Sequence, residues 1–148
     1  MNSSYTSAFV DAVVKGDESV ASHLLSLGAE VNAQDDRGLT ALHWASASEE
    51  GANLVPWLLQ RGAKPEIMDH SGHSALHFHC AKGRLYSAAC LLHSGSDPNI
   101  ATTDFLLTPL HLAVKYGHKD VAKVLLAFGA KSSALDKFGR KPVDIWNG

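Results

Sequence analysis

The sequence predicts an all-α fold, a solenoid of stacked helix-turn-helix units with β-hairpin loops that project to one side. The first observation behind this prediction is a recurring hexapeptide, which starts at positions 40, 74 and 108 and so has a period of 34 residues. The second is a Leu-Leu pair that recurs in step, at 24–25, 58–59, 91–92 and 125–126. A fixed period of this size is the signature of a repeat protein, in which each unit buries its apolar face only against its neighbours.

Length and composition fit one domain of a globular protein. The chain has 148 residues, of which 45% are hydrophobic and 19% are charged, and its net charge is -2. These values are ordinary for a folded domain and favour neither nucleic acid nor an anionic membrane as a partner. We therefore predict a single repeat domain over residues 1–148.

The charge is unevenly distributed along the chain. Residues 1–104 carry 6 Lys and Arg against 12 Asp and Glu, whereas residues 105–148 carry 7 against 3. A stacked array with this sequence has an acidic end and a basic end, and that polarity could steer a charged partner. The alternative interpretation, which we favour, is an ordinary solvated surface of basic helices.

Cysteine content and hydropathy predict an intracellular, cytoplasmic protein, with the nucleus left open. The two cysteines are too few for a disulfide framework, and we expect Cys80 and Cys90 to be buried free thiols. Residues 1–5 lack the basic and apolar regions of a secretory signal. No apolar run reaches the length of a membrane span, so we expect no membrane insertion.

The first two repeats are predicted at 7–34 and 35–68. Apolar spacing over residues 7–14 indicates one helix, whose opposite face is polar and suits a capping repeat, and residues 20–25 indicate a second that ends at Gly28. In the second repeat Thr40 caps the first helix, and one residue is inserted within 46–51. Its second helix is expected near 54–60, with Pro56 tolerated in the first turn.

The third and fourth repeats are predicted at 69–101 and 102–135. Helices are expected near 75–82 and 85–93 in the third, where His79 stands in the position that Ala45 and Ala113 hold. A buried imidazole there needs a hydrogen-bond partner or it opens the packing. In the fourth, Pro109 begins the first helix, and we expect core positions at 113, 121, 125 and 126.

Residues 136–148 read as the remnant of a fifth repeat, with a hairpin and the start of one helix. Either this remnant is a short cap or the chain is excised from a longer protein. We favour excision slightly, because the apolar residues at 143, 145 and 146 would bury more with a continued chain.

Residues 108–113, Thr-Pro-Leu-His-Leu-Ala, resemble the ankyrin repeat, and the resemblance extends from residue 7 to about 146. It implies helix pairs whose hairpins and first helices form a concave surface. It also implies that this surface binds a protein or peptide partner without catalysis. His79 departs from the family pattern, which has alanine there.

No catalytic motif is present, so we expect no enzyme, no cofactor and no small-molecule substrate. His43, His77 and His111 recur at repeat spacing and are interpreted as structural hydrogen bonders. A minor alternative is a metal site in the cluster His70, His73, His77, His79 and Cys80, since imidazole and thiolate are zinc ligands. The spacing matches no common zinc module, and we expect no metal.

The candidate partner-binding residues lie at the hairpins and the first helices, where side chains differ between repeats. They are Asp36, Arg37, Leu39, Trp44, His70, His73, Lys82, Phe105, Leu106, Leu107, Lys115, Tyr116, Phe138 and Arg140. Variation there is expected if the face binds a partner and equally if it is unconstrained. Trp44 and Trp57 are expected mainly in the core, although an edge of Trp44 could reach the groove.

The hairpin before the fourth repeat is one residue longer than the others and has Phe105-Leu106-Leu107 in place of the usual turn glycine. Three large apolar residues there indicate either a contact site or a tip that folds back onto the third repeat. The function we predict is a non-catalytic protein-interaction module. The alternative is a targeting or regulatory domain of a larger enzyme or signalling protein. Nucleic acid is disfavoured because a dense basic stripe with stacking aromatics is lacking.

Overall fold

A computed structural model describes residues 3–146, and in this range it confirms an all-α repeat architecture with hairpin turns and no β-strand. Residues 1–2 and 147–148, parts of the segments used to judge a leader and the fifth repeat, lie outside the described residues. The α-helices are α1 (Ser3–Lys15), α2 (Glu18–Ser26), α3 (Ala41–Trp44), α4 (Glu49–Ala52), α5 (Val55–Gln60), α6 (Ala75–Ala81), α7 (Leu85–His93), α8 (Pro109–Lys115) and α9 (Lys119–Ala127). Two short 3-10 helices cover Ala45–Ala47 and Pro142–Ile145.

The helices form two rows. The first helices α1, α3, α6 and α8 stack in order and are followed by the 3-10 helix Pro142–Ile145, while α5, α7 and α9 stack in a second row. Between the rows lies one continuous apolar core that extends from Phe9 to Ala130. Each unit is thus stabilised by burial against its neighbours, as the period predicts.

Three recurring histidines connect each repeat to the next. Nδ1 of His77 accepts a hydrogen bond from the backbone N–H of Ser74 at 3.0 Å, so the ring proton is on Nε2, which donates to the Leu107 carbonyl at 2.9 Å. The equivalent bonds at the flanking repeats run from Nε2 of His43 to the His73 carbonyl and from Nε2 of His111 to the Arg140 carbonyl, both at 2.9 Å. The predicted structural role of these three side chains is confirmed.

His79 finds partners and does not open the packing. The ring is fully buried, with Nε2 2.9 Å from the Leu42 carbonyl and Nδ1 2.6 Å from the hydroxyl of Ser87. Burial lowers the pKa of His79 to about 4, so the ring is neutral near pH 7 and bridges two adjacent repeats. The position that alanine fills in the second and fourth repeats is occupied here by a hydrogen-bonded histidine.

The inserted residue of the second repeat is absorbed by a helical turn. The segment after Ala47 forms α4, which packs on α1. The hydroxyl of Ser48 donates to the Val14 carbonyl and accepts from the N–H of Gly51 at 2.9 Å. The insertion therefore adds a contact between the first two repeats.

Two sequence expectations about burial are wrong. Leu126 is 47% exposed, because α9 buries Val121 and Leu125 on one face and the next residue points about 100° away. Cys90 is only half-buried, whereas Cys80 is fully buried and burial raises the pKa of its thiol. Trp57 is confirmed as a core residue at 8% exposure.

Candidate partner-binding surface

In three hairpins, an aspartate at the first position fixes the conformation of the turn. Oδ1 of Asp35 accepts hydrogen bonds from the backbone N–H groups of Arg37 and Leu39, both at 2.9 Å. Asp69 and Asp136 make the same pair of bonds in their own hairpins. These bonds use backbone donors, so the side chains at the tips are free to differ without altering the turn.

Successive hairpins stack through one backbone hydrogen bond. The N–H of Thr103 donates to the Ser71 carbonyl at 2.9 Å, and the N–H of Lys137 donates to the Phe105 carbonyl at 2.8 Å. The approach is so close that a Cβ on Gly72, which has φ of +82°, would lie 2.6 Å from the nitrogen of Thr103. The acceptor residues Ser71 and Phe105, together with Arg37, whose carbonyl accepts from the N–H of His70 at 3.1 Å, therefore occupy equivalent positions in successive hairpins.

The hairpin at residues 102–107 has threonine instead of aspartate at its first position and contains no glycine. The side-chain oxygen of Thr102 accepts from the N–H of Leu107 at 3.0 Å. Leu106 has φ of 56°, the one positive φ at a non-glycine residue among the described residues. A leucine in this left-handed conformation is strained, and its side chain is 45% exposed at the tip.

At the N-terminal end, α1, the first hairpin and α3 enclose a groove of about 870 Å³, which we call the Trp44 groove. The indole N–H of Trp44 donates to Oδ2 of Asp35 at 2.9 Å, and this bond fixes the half-buried ring in the groove wall. The polar face of α1, formed by Ser7, Asp11 and Lys15, is exposed, as suits a capping repeat, and it lines this groove. The charged lining residues are Asp11, Lys15, Glu30, Asp35, Asp36 and Arg37.

The carboxylate of Asp35 is kept ionised by its donors. Burial alone would raise its pKa, but hydrogen bonds from Trp44 and from the N–H groups of Leu39 and Arg37 lower the pKa overall. One side chain thus braces the hairpin and positions the indole. The sequence carried a signal for this, since Asp-x-x-Gly recurs at 35–38, 69–72 and 136–139, but we did not use it to predict a role for Asp35.

At the C-terminal end, a second depression of about 320 Å³ lies between the last two hairpins and the end of α8. The rings of Phe105 and Phe138 stack there, with centroids 6.1 Å apart, and both are exposed, at 46% and 64%. The tip thus turns towards the next hairpin and keeps its apolar side chains in solvent. Of the two alternatives, exposure of the tip agrees with a contact site and not with a tip folded back onto the third repeat.

Each aromatic ring at this end carries a cation over its face. The Lys137 ammonium lies 5.7 Å from the centroid of Phe105, and the Arg140 guanidinium lies 5.2 Å from that of Phe138. Lys115 lies 5.4 Å from the ring of Tyr116, which is 54% exposed. We define the aromatic–basic patch as Phe105, Leu106, Lys115, Tyr116, Lys137, Phe138 and Arg140.

The remaining candidate residues are placed as follows. Asp36 and Arg37 are exposed at the first tip, His70 is exposed at the second, and Lys82 is exposed after α6. His73 is half-buried and stacks on Phe78, with centroids 5.2 Å apart. Leu107 is half-buried beneath the third tip.

Leu39 corrects an expectation, since only 6% of it is exposed. It directly precedes the buried cap Thr40, and its side chain forms the floor of the Trp44 groove. A partner can therefore reach the rim of this groove more readily than Leu39 itself.

The histidines within residues 70–80 have different structural roles. His77 and His79 are buried in hydrogen bonds between repeats, and His73 lies 3.3 Å from a carboxylate oxygen of Asp69. Within residues 3–146, no group of three or more His, Cys, Asp or Glu side chains is arranged to hold a metal ion. In the same range, no helix combines the length and apolarity that a membrane crossing requires.

Comparison with known proteins agrees with the geometry. A family model described as "Ankyrin repeats (3 copies)" matches residues 9–102 and 76–145. Rabankyrin-5 of Homo sapiens is 31% identical over 130 residues, which cover 80% of this chain and 11% of that protein. Cyclin-dependent kinase inhibitor 2A of Monodelphis domestica is 32% identical over 100 residues, covering 68% of this chain and 58% of that protein.

A third relative is an enzyme by name. E3 ubiquitin-protein ligase Ufd4 of Drosophila melanogaster is 34% identical over 134 residues, which cover 86% of this chain but only 5% of the ligase. The chain thus spans between 5% and 58% of the length of these three relatives.

Proposed function

The chain belongs to the ankyrin-repeat family, and we propose that it is a non-catalytic, intracellular module that binds a protein or peptide through its concave surface. One observation carries the proposal. The hairpins are held by hydrogen bonds to backbone N–H groups, while the tip side chains Arg37, Phe105 and Phe138 are exposed along the row of hairpins. Large exposed aromatic and arginine side chains on a rigid frame are the residues that dominate contact energies at interfaces.

A rigid surface also favours binding thermodynamically. Its hairpins are fixed before a partner arrives, so little conformational entropy is lost on association. An interface of ordinary size would bury about 800 Å² on each side, which a groove of several repeats supplies.

The test is capture from cell lysate with two matched triple variants, read by mass spectrometry. The concave variant is Arg37→Ala with Tyr116→Ala and Phe138→Ala. The control variant is Tyr86→Ala with Lys123→Ala and Leu126→Ala, three exposed residues of the second helices α7 and α9. Arg140 is avoided because its guanidinium pairs at 2.8 Å with a buried oxygen of Asp136, and its removal would leave that carboxylate unpaired.

Proteins held by wild type and by the control variant, but lost from the concave variant, are the expected result. Proteins held equally by all three would refute the concave surface as the binding site. An empty capture would count against an intermolecular role and favour a partner within the same polypeptide.

A second candidate function is a targeting or regulatory domain of a larger enzyme or signalling protein. It is favoured by the relatives above, in which the matching segment is a fraction of a longer chain. It is also favoured by exposed apolar residues at the last repeat, such as Leu135 at 55% and Val143 at 69%. Sequencing of the transcript beyond the codon for Gly148 tests it: a continuing reading frame supports the idea, and a stop codon there refutes it.

A further inference from the structure

We propose that the aromatic–basic patch binds an acidic protein segment that carries large apolar side chains. The proposal rests on the proposed function and names the chemistry of the partner at one end of the concave surface.

The aromatic–basic patch contains cations without a carboxylate partner in the described range. The ion pairs among the described residues are His73 with Asp69 and Arg140 with Asp136, so Lys115 and Lys137 have no carboxylate partner in that range. The carboxylates nearby are engaged by backbone donors: Asp104 accepts from the N–H of Phe105 at 2.6 Å, and Asp144 accepts from that of Lys141 at 2.8 Å. The patch residues therefore present two ammonium groups, those of Lys115 and Lys137, that are free to pair with the carboxylates of a partner.

The aromatic–basic patch also exposes large apolar side chains. Phe105, Tyr116 and Phe138 expose 46%, 54% and 64% of their surface. The depression beside them, about 320 Å³, is at the small end of the range for ligand pockets and suits one large side chain of a protein.

The two properties are interleaved rather than separate. A cation lies within 6 Å of each of the three rings, at 5.2, 5.4 and 5.7 Å. A segment that places an apolar side chain on the rings brings its flanking carboxylates next to these cations. The Trp44 groove has the opposite balance, with four carboxylates and two cations in its lining, so an acidic segment would be directed to the C-terminal end.

Single-stranded nucleic acid is the other polymer that combines negative charge with rings to stack. It fits less well, because a single strand needs a positively charged groove that follows its backbone, and the patch offers two lysines without a carboxylate partner in the described range, Lys115 and Lys137. The experiment separates the two.

The full chain is used to select from a random peptide library displayed on phage, beside two double charge reversals. The patch variant is Lys115→Glu with Lys137→Glu. The control is Lys123→Glu with Lys131→Glu, which changes the net charge equally at exposed lysines outside the patch. The four lysines are exposed and make no ion pair in the described range, so both variants should fold, and thermal denaturation checks this.

Peptides selected by wild type should be enriched in Asp and Glu around Phe, Leu or Trp. Their affinity should fall at least about tenfold for the patch variant, stay within about twofold for the control, and weaken with salt. The patch variant should itself select peptides rich in Lys and Arg. A Phe138→Ser variant should weaken the selected acidic peptides without that reversal.

Four outcomes would overturn the inference. Selected peptides without an acidic excess, or peptides lost on Trp44→Ala and kept by the patch variant, would refute it and leave the proposed function standing. An empty selection would refute both. Tighter binding of oligodeoxythymidine than of any selected peptide, abolished in the patch variant, would assign the patch to nucleic acid.

Discussion

The two ends of the concave surface are built on the same frame and differ in what they offer. At the N-terminal end the anchor is one half-buried indole, Trp44, held by a carboxylate in a groove with an acidic lining. At the C-terminal end the anchors are exposed rings, each beside a cation. Identical hydrogen bonds hold the hairpins at both ends. The repeat therefore fixes where side chains stand and leaves their chemistry open.

Lowering the pH gives the strongest test of whether the two ends unfold as one cooperative unit. Burial lowers the pKa of His77 and of His79 to about 4, and it also lowers that of His43, from an ordinary 6.5. Between these values the unfolded chain binds protons that the folded chain does not, so the free energy of unfolding falls as pH falls. The expected loss from His77 and His79 is about 5 kcal/mol between pH 6.5 and pH 4.

Chemical denaturation across this pH range measures the loss, and hydrogen exchange follows the amides of hairpins 35–39 and 136–140. Both hairpins should lose protection together. A His79→Ala variant, which lacks one of the titrating groups, should show a shallower slope. A flat stability profile from pH 6.5 to 4.5 would show that these rings are not held neutral.

Removing one bridge between the ends gives the next largest effect. His77→Ala deletes the bonds to Ser74 and to the Leu107 carbonyl and leaves a buried space. We expect a loss of about 3 kcal/mol in the free energy of unfolding, measured by urea titration. His70→Ala, an exposed histidine of the same repeat, should change it by less than about 0.5 kcal/mol. Equal effects of the two substitutions would show that the hydrogen bonds of His77 do not contribute to stability.

The N-terminal end can be altered alone through Asp35→Asn. If the amide oxygen keeps the two backbone N–H groups, the amide NH₂ faces the indole N–H of Trp44, and two donors meet. We expect a loss of about 1 to 2 kcal/mol and a shift in Trp44 fluorescence, recorded with Trp57 and Trp146 replaced by Phe. Binding of acidic peptides at the aromatic–basic patch should not change. Unchanged fluorescence would mean that Asp35 does not hold the ring.

The smallest expected effect is at the C-terminal end, with Leu106→Gly. Glycine relieves the cost of a side chain at φ of 56° but gains entropy in the unfolded chain. The net stabilisation should be below about 1 kcal/mol, read as a shift in melting temperature. Leu106→Ala keeps the Cβ and should show no such gain. Destabilisation by glycine would indicate that the leucine side chain packs at the tip.

Much of the frame was predictable because it is periodic. The helix over 85–93, Pro109 in a first turn and the histidine bridges follow from positions that repeat, and periodic positions serve the same contacts. Leu126 was mispredicted because the Leu-Leu pattern does not say which leucine faces inwards, and only the helix rotation decides that.

The two ends were less predictable, because their contacts join side chains distant in sequence. The bond from Trp44 to Asp35 depends on one rotamer across nine residues, and the stacking of Phe105 on Phe138 depends on how closely two hairpins approach. An alignment of the hairpins places both phenylalanines in one column, but their exposure and their cations appear only in three dimensions.

The hydrogen bonds of Asp35 and Asp136 allow the tip residues of their hairpins to change while the turn is kept. The carboxylates of Asp35 and Asp136 accept hydrogen bonds from backbone N–H groups of their hairpins. The side chains at the tips of these two hairpins therefore contribute little to the stability of the turn. Substitutions at 36, 37 and 138 can accumulate with little loss of stability, so the binding preference can change or be engineered while the scaffold is kept. A library randomised at these positions should return mostly folded proteins, whereas one randomised at 35 and 136 should return mostly destabilised proteins.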